Sequence, residues 1–187
     1  ILAFPYMFFA LDAGFKVVHV PFKGGGDVAV PEVLDRFVPV AHPWVGDDGG
    51  QLAESARFLR SLGRPVLAIP GNHDIPYTFP ARFTASFRAF ERQWETTEPT
   101  FSSPTLHVIG LNSVRPWRHQ SGGIRAGQLT RAEDRLQEGA PDAYRIVVLH
   151  HHLIGAPWRS RKKPVARRKH VLSSLVDAGA DLILGGH

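Results

Sequence analysis

Five short apolar runs recur along the chain, and their alternation with helical patterns most constrains how it can fold. The runs are rich in Val, Ile and Leu and lie at 16–20, 65–70, 106–112, 145–150 and 181–186. Near-continuous apolar runs of this length are typical of strands buried on both faces. Between them, apolar residues at helical spacing predict helices at 49–63, 129–139 and 167–179. Strands that alternate with helices predict an α/β layered fold.

The ends of the predicted helices carry recognisable signals. Thr130 is expected to be the N-cap of the second helix, because Glu133 follows three residues later, as in a capping box. The first and third helices are expected to end at Gly63 and Gly179.

Polar side chains follow three of the predicted strands directly. The sequence Gly71-Asn72-His73-Asp74 follows the run at 65–70, three histidines from His150 to His152 follow the next-to-last run, and His187 follows the last. Asn, Gly and Asp are also ordinary turn residues, so the first cluster alone has a simple alternative explanation. In α/β folds, however, the carboxyl ends of strands form the site. The recurrence therefore predicts one common site.

Composition limits the chemistry of that site. The chain has 187 residues, no cysteine and a formal net charge of +5. Without thiolates, a metal would be held by N and O ligands, which favours Zn, Mn or Fe. The positive charge suits a nucleic acid, an acidic membrane surface or an anionic substrate. No 18-residue apolar stretch predicts a membrane span, and residues 1–15 lack the features of a signal peptide. We therefore expect a single-domain cytoplasmic protein, although both ends of the sequence suggest a fragment.

A basic segment at 159–170 contains seven Lys and Arg residues among twelve. It is either a solvated face or an electropositive rim that attracts phosphates. Trp158 is the one aromatic residue close to it, and nucleic-acid binding sites normally interleave several aromatics with their cations. We therefore do not expect a nucleic-acid partner. Gly24–Gly26 is not a phosphate loop, because no Gly-Lys-Ser/Thr follows.

Three motifs in a fixed order carry a family resemblance. They are "GNHD" at 71–74, "VLHH" at 148–151 and "GGH" at 185–187. With these motifs, the sequence from about residue 50 resembles the calcineurin-like metallophosphoesterases. The stretch "VIGLNSVRPWRHQSGGI" at 108–124 is similar to the family's strand and loop between the second and third clusters. The resemblance implies a four-layer αββα sandwich and a centre of two divalent ions, Mn, Fe or Zn. It also implies hydrolysis of phosphomonoesters or phosphodiesters, cyclic nucleotides among them.

The resemblance also implies a role for each matching residue. Asn72, His150 and His187 would bind one metal ion, and Asp47 would be the carboxylate that bridges both ions. His73 would be the catalytic residue that stabilises the transition state or protonates the leaving oxygen. Asp74 would orient His73 or its loop. Two ions that flank the reacting phosphorus neutralise its charge and acidify a bound water, and an imidazole can act as an acid near neutral pH.

One part of the family pattern is missing. Members normally carry Asp-x-His after the first strand, whereas Phe22 and Gly24 occupy those positions here. The second ion would then keep only Asp47, so we expect at most one ion in this chain. Residues 1–49 are divergent, and the family's last strands are expected to be missing. The alternative function is a catalytically impaired member that acts as a binding domain.

The roles of several other residues stay open. Asp27 is a weak substitute ligand, while His19 and His42 are expected to be strand and loop residues. His151 and His152 either support a ligand or face the substrate. The segment with Trp117, Arg118 and His119 either overhangs the site or packs as an ordinary loop. The sequence does not identify the substrate.

Overall fold

The computed structural model describes residues 16–19, 50–61, 66–118, 121–154 and 164–185. In chain order, this part contains β1 (Lys16–His19), α1 (Gly50–Ser61), α2 (Ala81–Thr84), α3 (Arg88–Trp94), β2 (Thr100–Ser102), β3 (Leu106–Leu111), α4 (Ala126–Gln137), β4 (Tyr144–Leu149), α5 (Arg168–Asp177) and β5 (Leu182–Gly185). Four of the five predicted strands and all three predicted helices are present. The mixed α/β architecture is confirmed.

The strands form one mixed sheet in the order β1-β5-β4-β3-β2. The central strands β3, β4 and β5 are parallel, and Leu149 lies opposite both Leu111 and Gly185. The carboxyl ends of three strands therefore meet at one edge of the sheet, called here the carboxyl edge. The polar residues that follow these strands start from neighbouring points.

Helices α4 and α5 cover one face of the sheet. Leu129, Ala132 and Leu136 of α4 recur at helical spacing, as do Val171 and Leu175 of α5, and all five are buried in one core cluster. They pack against inward-facing residues of the central strands, namely Ile109, Leu111, Val147, Leu149 and Ile183. Each such large side chain contributes roughly 1.5–3 kcal/mol by leaving water. This core fixes the positions of the strand ends.

The predicted strand at 65–70 is wrong for the residues that the structure describes. Residues 66–70 form no regular strand, and Pro70 has no N–H to donate to a ladder. Instead, Leu67 packs against the second apolar face of the sheet, formed by Leu106, Val108, Ile146 and Leu182. The apolar run is thus explained by side-chain packing on the sheet and not by membership in it.

The predicted cap of α4 is also wrong. The helix begins at Ala126, and the Oε1 of Gln128 accepts a hydrogen bond from the backbone N–H of Arg125 (3.2 Å). Thr130 lies inside the helix, where its hydroxyl donates to the carbonyl of Ala126 (3.4 Å). The helix starts one turn earlier because a Gln at its third position caps it as well as a Glu would. By contrast, Gly179 follows α5 with a φ of 93°, the left-handed conformation expected at a helix end.

The first strand runs in an unexpected direction. β1 is antiparallel to β5, with Lys16 opposite Gly185 and His19 opposite Leu182. Its carboxyl end therefore lies at the edge opposite the carboxyl edge. Phe22 and Gly24 match the Asp-x-His positions only if the first strand ends at the site. β1 ends at the opposite edge of the sheet instead. Both residues, with Asp27 and His42, lie outside the described ranges.

Across the residues described above, every helix is too short or too polar to cross a membrane.

Candidate metal centre

Asn72 and His150 meet at the carboxyl edge although they are 78 residues apart in sequence. The Nε2 of His150 is hydrogen-bonded to the Oδ1 of Asn72, with 2.8 Å between the two atoms. Asn72 is buried, and His150, which directly follows β4, is half-buried. Zinc binds imidazole nitrogen and side-chain oxygen at about 2.0–2.2 Å, so two ligands of one ion stand about 3 Å apart. The spacing of these two atoms suits a shared ion.

The backbone at Gly71 permits this approach. A Cβ at position 71 would lie 3.1 Å from two ring atoms of His150 and 3.3 Å from Oδ2 of Asp74. Such contacts are tighter than ordinary van der Waals packing, so any larger residue would push the imidazole away from Asn72. The sequence signal for this constraint is the Gly of "GNHD".

Asp74 closes the turn that presents Asn72 and His73. Its Oδ2 accepts a hydrogen bond from the backbone N–H of Gly71 (2.7 Å), and its own N–H donates to the carbonyl of Gly71 (3.1 Å). A carboxylate that accepts a backbone N–H in this way fixes a tight loop. Asp74 thus supports the loop, which is one of the two roles that the sequence suggested for it.

His73, which follows Asn72 in the sequence, is open to solvent. Its side chain is exposed, and its Nδ1 is hydrogen-bonded to the hydroxyl of Tyr77. The two rings are 5.9 Å apart between centroids, with an interplanar angle of 58°. An exposed imidazole would otherwise rotate freely. The hydrogen bond with the Tyr77 hydroxyl restricts the orientation of the His73 ring.

The histidines after His150 are buried, and neither faces an open surface. His151 and His152 are each 1% exposed. Ser113 accepts a hydrogen bond from the backbone N–H of His151 (3.0 Å), and the Ser113 hydroxyl is also bonded to the ring Nδ1 (2.9 Å). The ring of His151 packs edge-on against that of His150, with centroids 4.9 Å apart. His151 therefore supports His150.

A second glycine completes this packing. A Cβ at Gly122 would lie 2.5 Å from Cγ of His151, closer than real contacts allow.

We call Asn72, Ser113, His150 and His151 the ligand cluster. Sequence reasoning missed Ser113 and Gly122. The available signal was their place in the family-like stretch 108–124, which does not by itself reveal a contact with His151.

A buried polar network holds the loop that carries Ser113. Arg115 donates to the backbone carbonyls of Asn112 (3.1 Å) and Val114 (2.7 Å) and to the side chain of Gln128. Gln128 in turn is hydrogen-bonded to Glu98 and to the Asn112 carbonyl (2.7 Å). Burial lowers the pKa of Arg115 to about 10, so the guanidinium keeps its charge at neutral pH. These hydrogen bonds connect Glu98, Gln128 and Arg115 to the backbone on both sides of Ser113, and such a buried network restricts the loop.

The remaining predicted ligands, Asp47 and His187, lie outside the described residues. β5, the strand that precedes His187, ends at the carboxyl edge: Gly185 is so close to His152 that a Cβ there would lie 3.2 Å from the His152 Cα. Within the described ranges, no group of three or more His, Cys, Asp or Glu side chains is arranged to hold a metal.

In open α/β sheets, ligands bind at the carboxyl ends of the strands, and imidazole nitrogen and side-chain oxygen are atoms that bind Zn²⁺. The family model of the calcineurin-like phosphoesterases matches residues 18–187, and the chain belongs to that family. Its members are metal-dependent phosphoesterases that act on phosphate esters. No curated protein matches the chain.

Proposed function

We propose that this chain is a divalent-metal phosphoesterase whose site lies at the carboxyl edge. Asn72 and His150 are the ligand pair, and Asp47 and His187 are the further ligands. The substrates are phosphomonoesters or phosphodiesters, cyclic nucleotides among them, and the ion is Mn, Fe or Zn. The observation that carries the proposal is the 2.8 Å approach of Asn72 Oδ1 and His150 Nε2.

The chemistry follows from the charges and positions of the residues. Neutral Asn and His ligands leave a divalent ion with most of its positive charge, and this charge attracts a phosphate and acidifies a bound water. His73 is adjacent to Asn72 in sequence and open to solvent, so it can contact a bound phosphoester. Tyr77 orients the imidazole, which then stabilises the transition state or gives a proton to the leaving oxygen.

Each ion of a two-ion centre needs its own ligands. The antiparallel course of β1 supports our expectation of at most one tightly held ion, because that strand does not end at the carboxyl edge. The same observation favours a second candidate function, a family member that binds a phosphorylated ligand without turnover.

Metal content and hydrolysis measured together test both functions. The purified chain is loaded with Mn²⁺ or Zn²⁺ and dialysed, its metal is counted by mass spectrometry, and turnover of bis(p-nitrophenyl) phosphate is followed. We expect about one ion per chain, and we expect His150→Ala to weaken metal affinity by about 100-fold or more, since it removes a direct ligand where even supporting residues contribute 10–100-fold. The matched control is His170→Ala, an exposed histidine on α5.

Each possible outcome has a distinct meaning. Unchanged metal content in His150→Ala would refute the ligand pair. Two tightly held ions with rapid turnover would refute the one-ion expectation. One bound ion without turnover would favour the binding function.

A further inference from the structure

Most of the exposed aromatic side chains in the described part of the chain belong to two short segments. Among the described residues, the exposed large hydrophobic side chains are those of Phe58, Tyr77, Phe79, Phe83, Trp117 and Ile154. Four of these six lie in the segment 77–83 or at position 117. Exposed apolar residues scattered singly are normal, whereas a local group of them often marks a binding site.

One buried arginine joins the two segments. Arg82 is 5% exposed, and its Nε donates to the carbonyl of Pro116 (2.6 Å) while its Nη1 donates to the carbonyl of Pro76 (2.9 Å). Tyr77 and Trp117 directly follow these two prolines. Because one planar guanidinium binds both carbonyls, the backbones that carry the two aromatic rings start side by side.

Each ring is held by a polar partner. The Tyr77 hydroxyl is bonded to His73, so this ring borders the position of the phosphoester. The guanidinium of Arg125 lies over the ring of Trp117, 5.6 Å from the centroid. A cation on one face fixes the indole and leaves its other face available. Tyr77 is 49% exposed and Trp117 is 59% exposed.

We infer that Tyr77 and Trp117, called here the aromatic rim, form a subsite for the planar aromatic group of the substrate, specifically the base of a nucleotide. This inference rests on the proposed function, because the phosphate must occupy the adjacent metal site. Stacking of a base on an aromatic ring is sequence-tolerant and has a sizeable energy. Arg118 follows Trp117 in the sequence, and the guanidinium of Arg125 lies over its ring. Two cations beside the ring suit an anionic nucleotide better than an apolar protein partner.

Two ligands that differ only by the base test the subsite. Adenosine 5′-monophosphate and ribose 5-phosphate are titrated calorimetrically into the Mn²⁺-loaded full chain. Base–aromatic stacking predicts that the nucleotide binds about fivefold to 150-fold more tightly. We expect Trp117→Ala to reduce this ratio to less than about twofold by weakening the nucleotide alone, and Trp117→Phe to retain most of it. The control is Phe58→Ala, an exposed aromatic on α1 outside the two joined segments.

The outcomes separate this subsite from the proposed function. If neither ligand binds the loaded protein, the phosphate site and the subsite both fail. If ribose 5-phosphate binds and the nucleotide binds no better, the subsite alone is refuted. An unchanged ratio in Trp117→Ala would also refute it. A change in oligomeric state in Trp117→Ala, with both affinities unchanged, would assign the exposed aromatics to a protein interface instead.

Discussion

The ligand cluster and the aromatic rim lie next to each other but are built in opposite ways. Beside the ligand cluster, Gly122 leaves no room for a Cβ and Gly71 leaves little, and His151 is almost fully buried. In the aromatic rim, about half of each ring is exposed, and the one buried side chain that joins the two segments is Arg82.

The difference fits the roles proposed for the two regions. Ligands of one ion must keep a spacing of about 3 Å, so their neighbours have to be packed to fixed distances. Stacking tolerates small shifts of the ring and needs an open face. Substitutions in the ligand cluster should therefore affect stability and metal affinity, whereas substitutions in the rim should affect ligand preference.

The largest effect is expected from Gly122→Ala. The new Cβ would meet the His151 ring at 2.5 Å, so the ring or the loop must move. Overpacking of this kind costs about 1–3 kcal/mol of unfolding free energy. Because His151 packs against His150, metal affinity should fall as well. Urea unfolding and metal counting measure the two losses.

Gly127→Ala is the matched control for this change. Position 127 lies on the exposed side of α4, and the nearest atom to an added Cβ is Nη1 of Arg131 at 3.8 Å. Replacing Gly by Ala in a helix should raise stability by about 0.5–1 kcal/mol. If Gly122→Ala were as harmless as this control, the tight packing of the ligand cluster would be disproved.

We expect Arg82→Lys to cost a similar amount of stability but, unlike Gly122→Ala, to leave metal affinity unchanged. A lysine ammonium cannot bind the carbonyls of Pro76 and Pro116 together as the planar guanidinium does, so one carbonyl loses its donor. This loss should lower the free energy of unfolding by about 1–3 kcal/mol. We expect a lower midpoint of urea unfolding and a reduced preference for the nucleotide over ribose 5-phosphate, with metal content unchanged. Arg88→Lys, on the exposed face of α3, should change neither. Loss of bound metal in Arg82→Lys would contradict the separation of the two regions.

The smallest effect is expected from Tyr77→Phe, which keeps the ring of the rim but removes the hydroxyl that orients His73. One hydrogen bond of this kind corresponds to about a two- to tenfold decrease in kcat. KM and metal content should not change. Tyr144→Phe, at the opposite end of β4, is the same substitution away from the site and should have no effect on kcat.

A double-mutant cycle distinguishes orientation of His73 from a general structural effect. If Tyr77 acts through His73, then Tyr77→Phe should cause no further loss in a His73→Ala background. Equal losses in both backgrounds would show that the Tyr77 hydroxyl does not act through His73.

The sequence by itself determined the α/β class and most of the elements, and it indicated which edge carries the proposed site. Apolar runs and helical spacing are local patterns, so they predicted five strands, four of which are present, and three helices. The residues that follow β4 and the "GNHD" turn were predicted as site residues from a local pattern as well. A polar group directly after a buried strand can be read from a few neighbouring letters.

Only the tertiary structure decided the support and the surroundings of that edge. The Ser113–His151 pair, the fit of Gly122 and the link through Arg82 join residues that are far apart in sequence. The direction of β1 and the packing of 66–70 on the sheet also depend on long-range pairing, since an apolar run satisfies either arrangement. Local periodicity states which face of an element is buried, but contacts between distant segments are fixed only when the core packs.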